Sequence, residues 1–397
     1  MGRVGGDESP GVESFQILCY GARTSGIRHG VRHFGRHRRF TERGRAGYAM
    51  KPTIKDVARA AGVSVGTVSN YLNGTTHVAD ARAQRIQAAI AALGYQVDLG
   101  ARGLRSGTTR TVGMLVPNIS NPFFGEVARS IEHALTEHGF QTFLCDTGED
   151  PEREEGYLAN LASRRVDGLL VIYASEHSDP NRLQAPKGVP LIFVDRGVPG
   201  RPSVTIDNRL GGRLAARHLL SLGHHRIGLL VGGREVRNVG LRVEGFVEEL
   251  QARGLEIAPP YVIDGPQELA FGSRVAELMA LPDPPTAVFA TNDIVAVGAW
   301  QRLLSLGLRV PHDVSLMGFD DIELCRSLIP PLTSVAQDKQ AMGRRATERL
   351  LQAITSRATD RLAARASDEL EMIEPRLMVR ESTAPLTRAG ARPQRAG

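Results

Sequence analysis

Between Thr53 and Asn73 apolar residues recur at helical spacing twice, with a glycine separating the two runs. Ile54, Val57, Ala58 and Ala61 share one face of a first helix. Thr53 and Asp56 have the spacing of a capping box, in which the side chains satisfy orphan amides at a helix start. Gly62 supplies the left-handed conformation that ends this helix, and Val63 plugs the corner. Ser64 caps a second helix that buries Val68 and Leu72 while exposing Val65, Gly66, Ser69 and Asn70. Two helices this short cannot enclose a core. A third follows over Ala81 to Leu93, with Ile86, Ala89, Ile90 and Leu93 in phase. This is the arithmetic of a helix-turn-helix, whose second helix enters the DNA major groove. A small helical bundle with no ligand fits the same pattern.

From Thr111 the pattern changes. The runs TVGMLVP, TFLCDT, GLLVIY, LIFVD, SVTID, RIGLLVG, YVIDG, AVFATN and DVSLMGF read as strands. Their near-continuous apolar character predicts burial on both faces of parallel sheets. Amphipathic segments at Phe124 to His138, Arg209 to Leu222 and Ile294 to Leu306 read as intervening helices. Alternating strand and helix implies a doubly wound α/β body. So many strands exceed one typical small sheet, and two lobes follow.

A chain of 397 residues is too long for one core, which agrees with separate domains. The net charge of +6 informs once divided: about +5 in residues 1–49, about +5 in 50–110 and about −4 in the remainder. The basic excess sits on the helical module and its upstream arm, the footprint of phosphate contact. No run approaches the length needed to cross a bilayer. Cys19, Cys145 and Cys325 lie far apart, without metal spacing, and fit a reducing compartment. A cytoplasmic, nucleoid-associated protein is the expectation. The arm at 1–49 lacks the features of a secretory signal. It reads as a basic, disordered extension or as a mis-assigned start ahead of Met50.

The stretches TIKDVARAAGVSVGTVSNYLNG, ARGLRSGTTRTVG, VPNISNPFF, RRVDGLLV, SLGHHRIGLLVGG, PTAVFATNDIVAVGA and GFDDIELCRSLIPPLTSV, in this order and spacing, resemble the lac repressor family of bacterial transcription regulators. The resemblance covers roughly residues 50–383. It implies an all-α helix-turn-helix domain at 50–95, a hinge linker at 96–110 and a two-lobed, periplasmic-binding-protein-like α/β body at 111–383. In that body lobe one takes 111–208 and 312–339, lobe two takes 209–311 and 340–383, and 384–397 form a disordered tail. The expected function is that of a homodimeric repressor, switched by a sugar-like small molecule, on pseudo-palindromic operator DNA. The alternative is a periplasmic-type solute-binding protein, which would carry a signal peptide and no DNA module.

The family pattern assigns DNA contacts to Thr53, Ser64, Val65, Gly66, Thr67, Ser69, Asn70, Asn73 and His77. Val65 can touch a thymine methyl, Gly66 offers no side chain, and Asn70 can pair bidentately with adenine. Ser64 and Thr67 are candidates for phosphate. In the linker Ala101 and Leu104 match positions of a hinge helix whose leucine wedges between base steps in the minor groove. Gly100 and Gly103 depart from that pattern, since glycine weakens a helix.

Catalytic motifs are missing: no GxGxxG after the first strand, no P-loop, GxSxG or HExxH. No enzymatic activity, cofactor or metal is expected. SLGHHRIG lies between a helix end and a strand and reads as a surface loop. A ligand cleft has more support, because ligands bind beyond the carboxyl ends of parallel strands. Those ends carry Asn121, Phe123, Phe124, Asp195, Arg196, Asn238, Arg242, Asn292 and Asp293. Taken singly, the phenylalanines can be core, Asp293 a helix cap and Arg242 a surface charge. Together they form an effector site in which the resemblance sets Arg242 and Asp293 facing each other across the cleft.

Overall fold

The computed structural model describes residues 52–73, 76–95, 108–174, 183, 185–356 and 370–386. The chain divides into two compact units, Met1–Gln96 and Val97–Gly397.

The first unit holds α1 (Ile54–Ala61), α2 (Val65–Asn73) and α3 (Asp80–Leu93). Thr53 donates from its backbone N and its hydroxyl to the Asp56 carboxylate, at 2.9 and 2.7 Å. Gly62 ends α1 at φ 63, and its amide reaches back to the helix carbonyls. Val57, Ala58, Ala61, Val68, Ile86 and Ala89 form the core, with Val63 and Leu72 packed against it. Leu93, expected in this core, is instead 37% exposed. It is the last residue of α3, the longest of the three helices.

In the second unit the order is β1 (Thr111–Val116), α4 (Pro122–Glu137), β2 (Gln141–Asp146), α5 (Pro151–Ser163), β3 (Gly168–Val171), β4 (Leu191–Asp195) and β5 (Ser203–Ile206). There follow α6 (Asn208–Ser221), β6 (Ile227–Gly232), α7 (Arg237–Gln251), β7 (Val262–Gly265), α8 (Val275–Met279), β8 (Ala287–Ala290) and α9 (Asp293–Ser305). The last elements are β9 (Ser315–Asp320), β10 (Thr333–Ala336), α10 (Lys339–Ser356), β11 (Leu370–Ile373) and β12 (Arg376–Met378). Two six-stranded sheets result, ordered β11-β5-β4-β3-β1-β2 and β12-β10-β9-β8-β6-β7. The pairings are parallel except for β12 against β10. Helices α4, α6 and α9 open on Asn121, Asp207 and Asn292, whose side chains accept amides of the first turn. Strand-end polar residues therefore serve first as caps.

The division between lobes differs from expectation. The resemblance places 312–339 in lobe one and 340–383 in lobe two. Instead β9 extends the second sheet in register with β8, Ser315 opposite Ala287, and β10 follows it there. The chain crosses back only after β10. Helix α10 packs on α4, β3, β4 and β5 of the first lobe, and β11 pairs with β5. It returns once more to place β12 beside β10. A crossover between two parallel sheets leaves no mark in the hydrophobic pattern, so the expected crossover falls one strand pair too early.

Strand β2 also departs from the buried pattern. It forms the edge of its sheet, with Phe143 41% and Leu144 48% exposed. In the loop before β6, His224 is buried rather than at the surface, bonded to Thr286 Oγ1 and the Ala384 carbonyl. Leu386 donates to Leu222 O, so the first residues of the expected free tail are docked. Cys145 is half-buried and Cys325 buried, both as free thiols. No helix among the described residues is long and apolar enough to cross a membrane. The arm at 1–49, the greater part of the linker and the tail beyond Leu386 lie outside the described residues.

Two glycines set the approach of α6 to α7. A Cβ at Gly212 of α6 would stand 1.9 Å from the Arg242 carbonyl, and one at Gly245 of α7 would stand 1.9 Å from that of Arg209. Only glycine lets these helices approach so closely, and that approach fixes where Arg242 emerges.

Candidate functional site

Ser64 caps α2 by accepting the Thr67 amide at 3.1 Å, and the two hydroxyls lie 2.8 Å apart. Val65 is 39% exposed and Gly66 is also exposed. A Cβ built on Gly66 would meet only Ser64 Oγ, at 3.7 Å, so that face has room for an approaching surface. Ser69 and Asn70, expected on the open face, are half-buried. Helix α2 runs from an exposed start into contact with α1 and α3, and its second turn is partly covered. Asn73 is the last residue of α2 and His77 is exposed. Ala101 and Leu104 lie outside the described residues.

In the body, Asn121, Phe123, Phe124, Asp195, Arg196, Asn238 and Arg242 converge on one cavity between the lobes. The phenylalanine rings meet edge to face, with centroids 5.2 Å apart, and both are buried. Asp195, at the end of β4, adopts φ 63, which turns its side chain out of the strand path. Its carbonyl accepts from Thr205 Oγ1, and from Asn238 Nδ2 of the other lobe at 3.1 Å. Its Oδ1 is buried without a partner among the described residues, as is Nε of Arg196. The Arg196 guanidinium donates to Tyr173 O at 2.9 Å and lies over the Tyr173 ring.

Arg242 lies at the base of the cavity, 4% exposed. Its Nε donates to Asn208 Oδ1 at 2.8 Å and its Nη1 to Thr291 O at 2.7 Å. Nη1 also stands 3.3 Å from Asp320 Oδ1, and the guanidinium lies over the Phe319 ring at 3.8 Å. Burial pushes the Asp195 carboxyl up to about 6, against the pull of Arg196 and Arg242. Burial likewise raises Asp320, opposed chiefly by Arg242. It lowers Arg242, which Asp320 and Asp195 counter. The cavity presents opposed carboxylates and guanidiniums in a desolvated setting, suited to a ligand with several hydrogen-bonding groups beside an apolar face. Its volume is about 20 Å³. A small-molecule site spans roughly 300 Å³ or more, so the cavity as it stands is smaller than such a site.

Asn292 and Asp293 do not line this cavity. Asn292 Oδ1 caps α9 through the Val295 amide at 2.9 Å. Asp293 accepts from Ser334 Oγ at 2.8 Å and from the Ile322 amide at 2.9 Å, in space left by the absent side chain of Gly318. Burial and the neighbouring Asp320 push it up to about 7. Arg242 and Asp293 therefore do not face each other across the cleft; α7 and α9 both belong to the second lobe. The carboxylate across the cleft is Asp195, and the one beside Arg242 is Asp320. Asp320, Val236, Val239 and Gln267 also line the cavity and were not anticipated. For Asp320 the signal was available: GFDD closes β9, and its first aspartate stands at a strand's carboxyl end. No group of three or more side chains able to hold a metal occurs among the described residues.

Residues 53–98 match the family described as bacterial regulatory proteins, lacI family, and residues 216–383 match a periplasmic binding protein-like domain. The HTH-type transcriptional repressor PurR of Mannheimia succiniciproducens is 38% identical over 336 residues, spanning 83% of this chain and 98% of the relative. The lac repressor dimer bound to operator and the anti-inducer ONPF superposes with a TM-score of 0.73 at 27% identity, covering 84% of this chain and 99% of that one. The transcriptional regulator CelR in complex with cellobiose gives a TM-score of 0.61 at 32% identity, covering 83% and 99%. With a helix-turn-helix ahead of a two-sheet body whose strand ends enclose a polar cleft, and with this likeness along nearly the whole of its relatives, the chain belongs to the lacI family of bacterial regulatory proteins.

Proposed function

We propose that this protein is a cytoplasmic, homodimeric repressor whose affinity for a pseudo-palindromic operator is set by a sugar-like molecule held between the lobes. The observation that carries the reading is the meeting of Asp195 and Arg196 of one lobe with Arg242 and Asp320 of the other around a shut cavity. A polyhydroxylated ligand satisfies paired acceptors and donors while stacking an apolar face on Phe123 or Phe124. Asn121 and Asn238 supply further polar atoms, whereas Asn292 and Asp293 support the site from behind. Binding that changes lobe closure shifts the equilibrium of the linker and so of the paired DNA modules.

On DNA, Val65 and Asn70 read base edges while Ser64 and Thr67 meet phosphates, with Thr53, Ser69, Asn73 and His77 flanking them. Gly66 allows close approach, and Ala101 and Leu104 engage the minor groove. Homodimerisation is supported by the exposed Phe143 and Leu144 on edge strand β2, an apolar pair that a second copy can cover. No enzymatic role is assigned.

The test is a thermal-shift screen of the full chain against cellobiose, other sugars and nucleosides, followed by operator titration at fixed salt. A ligand that raises the melting temperature must also change operator affinity. Binding without that coupling, or a chain that retains no DNA sequence selectively, favours the solute-binding alternative.

A further inference from the structure

Three residues outside the cavity lining join it to the lobe–lobe contact. Gln337 lies in the short crossover between β10 of the second lobe and α10 of the first. Its Nε2 donates to Asp320 Oδ1 at 2.7 Å, the oxygen that also faces Arg242 Nη1 at 3.3 Å. Its own Oε1 is buried without a partner among the described residues. Two residues on, Lys339 opens α10, and its amide donates to the Gln337 carbonyl at 2.7 Å.

The Lys339 ammonium, only 12% exposed, turns back into the second lobe. It donates to the carbonyls of Asp320 at 2.6 Å and Asp321 at 2.8 Å. Both residues have positive φ, 113 and 50. Such a backbone is costly for residues with side chains and persists only where its surroundings hold it. Lys339 also pairs with Glu126 of α4 at 3.2 Å, and the other Glu126 oxygen accepts the Glu323 amide of the second lobe at 2.9 Å. Glu126 stands one turn after Phe123, which lines the cavity. A single carboxylate of the first lobe thus grips two groups of the Asp320–Glu323 turn and the crossover.

We propose that Glu126, Lys339 and Gln337 form the latch through which the state of the cleft carboxylate Asp320 sets lobe closure. Asp320 Oδ1 is shared between Gln337, which ties it to the crossover, and Arg242, which belongs to the cavity. A ligand hydroxyl that takes up this oxygen competes with Gln337. Release of Gln337 loosens the crossover that seats Lys339, and the Glu126 contact yields with it. The three are positioning residues, since neither Gln337, Lys339 nor Glu126 lines the cavity. The mechanism rests on the cleft reading given above, but the latch itself exists without ligand and is tested without it.

The experiment measures the distance between spin labels at Glu152→Cys in the first lobe and Glu256→Cys in the second, on full-length chain diluted with unlabelled protein. Cys19 and Cys145 are replaced by serine. Glu126→Gln keeps an acceptor for the Glu323 amide and removes only the charge; Lys339→Met keeps the chain and removes the ammonium. Glu126→Gln should lower the closed-to-open ratio by about tenfold, as loss of one charge-assisted contact implies, and Lys339→Met, which also loses the two carbonyl contacts, by at least as much. The double variant should go no further than Lys339→Met alone, because that variant already removes the Glu126 pair along with the two carbonyl contacts. Gln337→Leu should widen the distribution in the same direction. If Lys339→Met does not fold, judged by urea unfolding, Glu126→Gln and Gln337→Leu must still act, and Lys339→Arg should restore closure. Distributions that superpose on the parent, or a double variant equal to the sum of the singles, overturn the latch. Because no ligand is added, that failure leaves the cleft assignment intact, and failure of the sugar screen leaves these distances unaffected.

Discussion

Replacing Arg242 by methionine isolates what the buried guanidinium does. The side chain is 4% exposed, and it serves Asn208 Oδ1, Thr291 O and Asp320 Oδ1 at 2.8, 2.7 and 3.3 Å. Methionine keeps much of the volume and a favourable contact with the Phe319 ring, so the packing term nearly cancels. What remains is the loss of one partner of a buried ion pair, worth about 3–5 kcal/mol. Asp320 can escape part of that cost by taking a proton. Burial already holds its carboxyl above the ordinary value, and Arg242 is the strongest opposing influence. Without Arg242 it climbs further. An acid whose folded value lies above its unfolded one loses stability as pH rises through the folded value. The variant's deficit should therefore be full at pH 8 and shrink towards pH 5. Urea unfolding of variant and parent at both pH values reads it directly. A deficit below about 1 kcal/mol at pH 8, unchanged at pH 5, refutes the assignment of the deficit to the Arg242–Asp320 pair.

Three further outcomes follow. Asp195 is raised from 3.8 to about 6, so between those values the folded chain holds a proton that the unfolded chain has released. Stability should fall across that window; Asp195→Asn should flatten this part of the profile in urea titrations, and identical slopes would exclude the assignment. Asn70→Ala should cost about 1–3 kcal/mol of operator affinity and relax preference at one base per half-site. Titration against single-base operator variants checks this, and a uniform loss would make Asn70 a phosphate contact. Asp293→Ala should lower the stability of the second lobe by about 1–3 kcal/mol, because the Ser334 hydroxyl and Ile322 amide lose their acceptor. An unchanged urea midpoint with loss of ligand binding alone would return Asp293 to the cleft.

The helical module was legible nearly residue by residue, because its signals are local. Thr53 with Asp56, Gly62 and Ser64 each act within a turn of themselves, and the structure places them accordingly. The body was legible as two lobes of parallel strands, since a strand buried on both faces is apolar along its length. Where the chain crosses between lobes was not. β9 and β10 carry the same pattern in either sheet, and only the pairing of β9 with β8 and of β10 with β9 decides between them. In the site, strand-end residues were identified as a class, but direction was hidden. Asp293 and Asp320 both follow strands. Gly318 leaves space in which Asp293 reaches Ser334 and the Ile322 amide, while Asp320, at φ 113, meets Arg242. That choice depends on contacts far apart in sequence.

Reciprocity of the switch gives the most direct measurement. Calorimetry of the sugar or nucleoside selected by the thermal-shift screen is run on the full chain, with and without saturating operator. Operator affinity is measured with and without that ligand at the same salt. The account predicts that DNA changes ligand affinity by the same factor as ligand changes DNA affinity, and that Asp320→Asn reduces both together. A ligand that occupies the cleft while leaving operator affinity unchanged would contradict it.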